Sequence, residues 1–181
     1  MSPRFRVERS PDFANLRRTL LRSGPPGPVP LIELFADPGT IQALLGEKID
    51  WQSLILAEAG DPNDRHRASP SGRATLDLIL RFCYEHGYDY VYAWTGLSFQ
   101  RANYLAAADT AGVQNLPDGT RVWHDESTGP IGSWADFEAY PWPEAERISY
   151  RAIEYLNGVV PDGMKISVNL GGIFENASWL M

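Results

Sequence analysis

Three polar residues lie in or near apolar strand-like runs and could perform chemistry there. Glu33 is the one charge in the apolar run 29–35, and Thr95 and Asn169 lie close to the ends of two later runs. A carboxylate held among apolar groups can act as an acid, a base or a metal ligand, and amide and hydroxyl groups can orient a substrate oxygen. The alternatives are an ion pair or a solvated strand end for Glu33, and hydrogen bonds to loop backbone for the other two.

A second group of residues could bind a ligand. Gly171 and Gly172 come before a predicted helix, where they could admit an anion or simply form a tight turn. Glu175 lies in the first turn of that helix and faces either a site or the helix dipole. Tyr92, Trp94 and Phe99 are flat side chains that could line a tetrapyrrole or corrinoid face or pack in a core.

Two further polar clusters have simpler interpretations. Cys83 and His86 are three residues apart on one predicted helix, but two ligands are too few for zinc, and the chain has no second cysteine. The run 124–126 (His-Asp-Glu) could be a proton relay, a metal site or a solvated loop. The sequence contains no Walker loop, no GxGxxG and no zincin motif.

Composition limits the classes of protein to consider. The chain has 181 residues, 44% of them hydrophobic, and a net charge of −7, which suits a core-forming protein and argues against a nucleic-acid partner. No apolar run approaches the roughly 18 residues that a membrane span needs. With its single cysteine, the chain is expected to be a cytoplasmic protein.

The elements expected to hold these residues alternate between strands and helices, as in parallel βαβ units. An N-terminal helix, capped by Ser10 and ending near Arg22, and a Pro/Gly linker occupy residues 1–27. The predicted strands are 29–35, 90–94 and 165–170, with a hairpin of 113–116 and 120–123. The predicted helices are 38–45, 51–59, 74–86, a short one capped by Ser133, 143–156 and 173–181, with a surface loop over 60–72.

Four segments in this order resemble the uroporphyrinogen decarboxylase superfamily, from about residue 11 to residue 181. They are VPLIELFAD at 29–37, YDYV at 88–91, GPI with WADF and YPWP between 129 and 143, and GGIFENASWLM at 171–181. The resemblance implies a partial TIM barrel, the N-terminal half with about three βα units and an inserted hairpin, as a single incomplete domain over 1–181. In such a barrel the site lies at the carboxyl ends of the strands.

The resemblance also implies a choice between two chemistries. The decarboxylase branch carries arginines in its first strand, an aspartate where Thr95 stands and a tyrosine where Trp179 stands. These departures favour the corrinoid-linked methyltransferase branch, and Glu33 would repel a polyanionic porphyrinogen. Glu33, Thr95 and Asn169 are then the expected catalytic residues. Residues expected to bind substrate or corrinoid are Trp94, Phe99, Gly171, Gly172, Glu175 and Trp179.

The resemblance implies further partners and leaves two alternatives open. A corrinoid, and zinc bound by residues outside this half, would serve the complete enzyme, with a tetrapyrrole or a corrinoid protein as partner. One alternative is uroporphyrinogen decarboxylation. The other is a non-catalytic half-barrel that assembles, for example as a homodimer, through exposed strand edges.

Overall fold

The structure, a computed structural model, divides the chain into two compact units. It describes residues 5–25, 27–33, 36–48, 66–95, 97, 99–100, 104–108, 120–125, 127–169 and 172–181. Unit 1 comprises residues 1–96 and 147–169, and unit 2 comprises residues 97–146 and 170–181. The described residues form six α-helices, a short 3-10 helix and four strands, so the mixed α/β class is confirmed.

Two of the predicted helices of unit 1 form close to their expected bounds. Helix α1 spans Phe13–Leu21 and helix α2 spans Pro38–Leu45. The cap of α1 is Asp12, whose carboxylate accepts a hydrogen bond from the Asn15 backbone N–H. The predicted cap, Ser10, is therefore wrong, because Asp12 lies nearer to the first helical turn and satisfies its orphan N–H group.

The longest helix of unit 1, α3, spans Pro70–Glu85. It begins four residues before the predicted start, because Ser69 accepts a hydrogen bond from the Gly72 N–H and Pro70 suits the first helical position. The predicted surface loop is accordingly wrong over 70–72. The apolar stripe of α3 is confirmed, since Leu76, Ile79 and Leu80 are fully buried.

Two strands of unit 1 form a parallel pair against α3. Strand β1 spans Tyr90–Trp94, strand β4 spans Lys165–Asn169, and Trp94 is in register with Asn169. Helix α5, Arg151–Asn157, precedes β4 and contributes Ala152 and Leu156 to the core. Both strands were predicted, although Leu170 lies outside the described residues.

The predicted strand at 29–35 is wrong over its described part. Residues 29–33 form no strand, and Val29 is 90% exposed. An apolar run becomes a strand only when a neighbouring strand accepts its backbone hydrogen bonds. Here the backbone of Glu33 is bonded to a side chain, the Tyr90 hydroxyl, instead. Leu34 and Phe35 lie outside the described residues.

Unit 2 contains an antiparallel pair and two helices. Strand β2 spans Tyr104–Ala108 and pairs with β3, Thr120–His124. The strand predicted at 120–123 is confirmed, but its partner is β2, and the expected partner at 113–116 lies outside the described residues. Helix α4 spans Trp134–Ala139 with the predicted Ser133 cap, and α6 spans Ile173–Leu180.

The helix predicted over 143–156 is interrupted. A 3-10 helix covers Ala145–Arg147, and α5 begins only at Arg151. Between them the Ser149 hydroxyl accepts a hydrogen bond from the Arg151 N–H at 3.4 Å. Such local side-chain bonds compete with helical hydrogen bonds and favour non-helical backbone at this point. The helix predicted over 51–59 lies outside the described residues, and none of the described helices is long and apolar enough to cross a membrane.

Candidate functional site

An open cavity of about 460 Å³ lies within unit 1 beside β1 and β4. Glu33 and Asn169, which the sequence predicts as site residues, both line it. This volume is typical of a small-molecule site. We call it the unit 1 cavity; its other lining residues in the described part of the chain are Phe13, Leu16, Leu20, Ile32, Tyr90, Tyr92, Ile166, Ser167 and Val168.

The parallel register places the polar side chains that β1 and β4 contribute to this cavity on one face of the sheet. Tyr90 and Tyr92 are two residues apart on β1, so their side chains share a face. Tyr92 is in register with Ser167, and Asn169 lies two residues further on. The alternation in β4 therefore brings Ser167 to the same face as Asn169. The two-residue spacing of Ser167 and Asn169 is a signal for this that the sequence itself contains.

A side chain of β1 fixes the backbone of Glu33. The Tyr90 hydroxyl accepts a hydrogen bond from the Glu33 N–H at 2.7 Å and also donates one to the Glu33 carbonyl oxygen. Glu33 itself is exposed, so its carboxylate lies at the solvent side of the cavity. Burial raises the pKa of the Tyr90 phenol, and the negative charge of Glu33 adds to that rise. Tyr90 therefore stays protonated at neutral pH.

Tyr92 carries a buried hydroxyl that has no hydrogen-bond partner among the described residues. Its side chain is almost completely enclosed, with 4% of the residue exposed. The Ala36 backbone lies close enough to oppose part of the rise that burial causes in the pKa of this phenol. Burial raises the pKa of Tyr92, so the group remains an O–H donor. An unsatisfied buried hydroxyl costs about 1–3 kcal/mol.

The other predicted residues of unit 1 lie outside this lining. Trp94 is half-buried and packs edge-on against Tyr92, with ring centroids 5.1 Å apart. Thr95 is half-buried directly after β1. Neither residue is among those that line the unit 1 cavity.

Unit 2 contains a second open cavity, of about 440 Å³, with a different lining. Phe99, predicted as a binding residue, lines this unit 2 cavity together with Phe137 and Trp142. The Trp142 indole N–H donates to the Phe137 carbonyl oxygen at 3.1 Å and fixes the ring. In the described lining Asn176 is the one polar side chain, beside Leu97, Ile131, Ile173, Ala177, Leu180 and Met181.

The remaining predicted residues of unit 2 surround α6. Gly172 is the N-cap of that helix, Glu175 is exposed in its first turn, and Trp179 is half-buried. None of the three is among the residues that line the unit 2 cavity. Gly171 lies outside the described residues, so the predicted anion site cannot be described as a pair of glycines.

The described residues do not fit a zinc ion. Within the described part of the chain, no three His, Cys, Asp or Glu side chains gather as metal ligands. Burial raises the pKa of the Cys83 thiol to about 12, so this cysteine is not a thiolate at neutral pH. For a corrinoid, the described lining of the unit 1 cavity offers no histidine as an axial ligand.

In the run 124–126, His124 ends β3 and Asp125 begins a loop that hydrogen bonds hold in place. The Asp125 carboxylate accepts hydrogen bonds from the Ser127 backbone N–H at 2.9 Å and from the Thr128 hydroxyl at 2.9 Å. The Ser127 hydroxyl also donates to Asp125, and hydrogen bonds from Ser127 and Thr128 hold the pKa of that carboxyl below its usual range. Glu126 lies outside the described residues.

No protein-family model matches this chain, and neither a curated protein nor a solved structure matches it. The class that the structure defines is therefore a mixed α/β protein in two compact units. The family resemblance stays a proposal.

Proposed function

We propose that this chain is the N-terminal part of a uroporphyrinogen-decarboxylase-like barrel enzyme, whose complete form carries out corrinoid-linked methyl transfer. The observation that supports this proposal is the unit 1 cavity, which brings together Glu33 and Asn169, two residues 136 positions apart in the chain. The parallel pairing of β1 with β4 supports it as well, because neighbouring parallel strands joined through helices are the building blocks of a barrel.

In this proposal the residues of the cavity bind and orient substrate. Asn169 presents an amide that can donate to or accept from a substrate oxygen. Glu33 presents a carboxylate, and Tyr90 fixes the backbone from which that side chain extends before substrate arrives. The described residues supply every group that these two roles need. Thr95 remains a candidate only through the family resemblance.

The test is a methyl-transfer assay on a complete homologue that contains the counterpart of this chain, with methylcobalamin as donor and a small thiol as acceptor. We expect Glu33→Gln to lower kcat/KM at least about tenfold, since a charged contact made in the transition state is lost. Glu138→Gln is the matched control, because Glu138 is exposed on α4 in unit 2. No transfer, or equal rates for both variants, would contradict the proposal, and carbon dioxide release from uroporphyrinogen would favour decarboxylation.

A second candidate is the non-catalytic assembly module, which the exposed edge of β4 favours. Among the described strands β4 pairs with β1 alone, and Val168 on β4 is 40% exposed. Such an edge can pair with a second copy of the chain. Sedimentation velocity tests this, with a dimer expected for the wild type, a monomer for Val168→Lys and an unchanged dimer for Ala135→Lys on α4. A monomeric wild type would exclude this candidate.

A further inference from the structure

Aromatic rings form one wall of the unit 2 cavity and extend beyond it to the protein surface. The ring centroids of Phe137 and Trp142 are 5.0 Å apart, and Phe99 meets Trp142 edge-on with centroids 6.5 Å apart. Outside the lining, the Trp134 ring stacks on Phe137 at 5.0 Å and is 72% exposed. These four rings therefore form one continuous aromatic surface that solvent reaches.

Helix α6 forms the other wall of the unit 2 cavity. Ile173, Ala177 and Leu180 are spaced four and three residues apart, so they lie on one face of the helix. Ile173 is 92% exposed, whereas Leu180 is buried. The Ile131 N–H donates to the Leu180 carbonyl oxygen at 2.8 Å and fixes the C-terminal end of the helix. The wall is therefore preformed, with a buried base and an exposed rim.

The lining of the unit 2 cavity suits apolar side chains of a partner. Large apolar side chains that are exposed as a contiguous group mark a place where another molecule docks. The one polar side chain of the described lining, Asn176, donates to the Gly172 carbonyl oxygen at 2.9 Å. A lining with so few polar groups gives a small polar ligand little orientation.

The charge of unit 2 indicates which kind of partner fits this cavity. Unit 2 contains nine aspartates and glutamates against two arginines, a net of −7, whereas unit 1 contains fourteen residues of each sign and is neutral. The segments that supply most of the lining, 127–146 and 172–181, contain five acidic residues and no lysine or arginine. The whole net charge of the chain is therefore on the unit with the exposed apolar wall, and it attracts a cationic partner.

The same charge disfavours two other occupants of the unit 2 cavity. A second copy of unit 2 would bring −7 against −7, and anionic lipid headgroups would be repelled as well. A basic amphipathic helix avoids this repulsion. Its apolar face can fill the cavity while its lysines and arginines face the acidic surroundings.

We propose that the unit 2 cavity docks a basic amphipathic helix of a partner protein. The apolar face of that helix contacts Phe137, Trp142 and Ile173, and its cationic face meets the acidic surface of unit 2. Burial of the exposed apolar side chains supplies affinity, and the charge supplies long-range attraction and selection against acidic partners. The proposal is independent of the proposed methyl transfer, because no residue of the unit 1 cavity takes part.

The test follows the fluorescence anisotropy of a labelled peptide, LKKLLKLLKKLLKL, during titration with the full chain. As a helix, this peptide carries leucines on one face and lysines on the other. One control peptide replaces every lysine by glutamate, and a second replaces every leucine by serine. The lysine–leucine peptide is expected to bind at least about tenfold more tightly than either control. A rise in NaCl from about 0.05 to about 0.5 M should weaken its binding roughly tenfold.

A pair of matched variants locates the binding site. Ile173 is 92% exposed and Val29 in unit 1 is 90% exposed, so replacing either by serine should leave the melting temperature almost unchanged. Ile173→Ser should weaken the lysine–leucine peptide about three- to tenfold, because the apolar face of the peptide loses a contact. Val29→Ser is the control and should leave the affinity of the wild type.

The other occupants are outcomes of the same experiments. Equal affinity for the lysine and glutamate peptides, no binding of the lysine–leucine peptide, or equal affinity in the Ile173→Ser and Val29→Ser variants would overturn the proposal. A peptide-free dimer that Ile173→Ser dissociates in sedimentation velocity would assign the cavity to a second copy. Co-sedimentation with phosphatidylserine vesicles that Ile173→Ser abolishes would assign it to a lipid surface. Either result would also overturn the proposal, and neither bears on methyl transfer.

Discussion

The two units carry cavities of nearly equal volume, about 460 and 440 Å³, that differ in how many polar side chains line them. The described lining of the unit 1 cavity combines Glu33, tyrosines, Ser167 and Asn169 with apolar groups, whereas the unit 2 cavity has Asn176 as its one described polar side chain. Cavity volume alone therefore does not show which of the two cavities is a specific binding site. The polar groups, and what holds them in place, make that distinction.

The units also differ in the cores behind these cavities. The core of unit 1 includes fully buried side chains from α2, α3, β1 and α5, among them Ile41, Leu80, Val91 and Leu156. The described core of unit 2 consists of Ile131, Tyr140 and Leu180, with Phe99 packed against it. A larger packed core holds its surface groups more rigidly, so unit 1 is the better support for a site.

The largest expected effect comes from the same substitution made in each core. Leu80→Ala in unit 1 should cost roughly 2–5 kcal/mol of unfolding free energy, because Leu80 is fully buried and leaves a cavity. Leu180→Ala in unit 2 should cost about 1–2 kcal/mol, because it lies at the end of α6 in a small cluster. Urea denaturation followed by circular dichroism measures both. Equal losses would remove the contrast between the cores.

The tight packing of unit 1 is next tested at two glycines with positive φ. A Cβ at Gly163 (φ +83°) would lie 2.1 Å from the Pro11 carbonyl oxygen, whereas one at Gly46 (φ +69°) would meet nothing within 4 Å. Gly163→Ala should therefore destabilise the protein by roughly 2–4 kcal/mol and Gly46→Ala by about 1 kcal/mol. Thermal melts of the two variants make the comparison. Similar melting temperatures would mean that the Pro11 segment moves aside freely.

The smallest expected effect is a pH dependence within unit 1. Burial raises the pKa of Asp77 above 3.8, while the hydrogen bond from the Tyr155 hydroxyl at 2.8 Å opposes the rise. The folded state therefore holds the carboxyl proton of Asp77 more tightly than the unfolded state does. For this reason the contribution of Asp77 to stability falls as the pH rises through the window just above 3.8.

Asp77→Asn removes this titration and keeps an oxygen that can accept from Tyr155. The variant should be as stable as the wild type at neutral pH or slightly more stable, with a flatter stability profile across the acid range. Urea midpoints at a series of pH values measure this. A clear loss of stability at neutral pH would show that the ionised carboxylate stabilises the fold.

Local patterns predicted the elements that depend on local physics. The helical spacing of Leu76, Ile79 and Leu80 and the aromatic, β-branched run 90–94 gave α3 and β1, and Ser133 marked the start of α4. These signals were sufficient because helix periodicity and N-caps operate within a few residues of sequence.

Elements that depend on distant partners were predicted less well. The apolar run at 29–33 has the composition of a strand, yet its backbone bonds to the Tyr90 hydroxyl, a contact across 57 residues. Strand β3 pairs with β2 at a register that composition does not reveal. For the site, Glu33 and Asn169 were found from their place in apolar runs. Tyr92 was named for its flat ring, but the burial of its hydroxyl was not foreseen, because hydrogen-bond satisfaction is a tertiary property.

Two asparagines make the most direct test of the claim that the unit 1 cavity is the binding site. Asn169 lines the unit 1 cavity and Asn176 lines the unit 2 cavity, so their side-chain amides report on the two sites separately. Nuclear magnetic resonance of the labelled full chain would follow both signals during titration with 2-mercaptoethanol, a small thiol of the class that the proposed methyl transfer needs as acceptor. We predict a saturable shift of the Asn169 amide with the Asn176 amide unchanged. A shift of Asn176 alone, or of neither, would contradict the account.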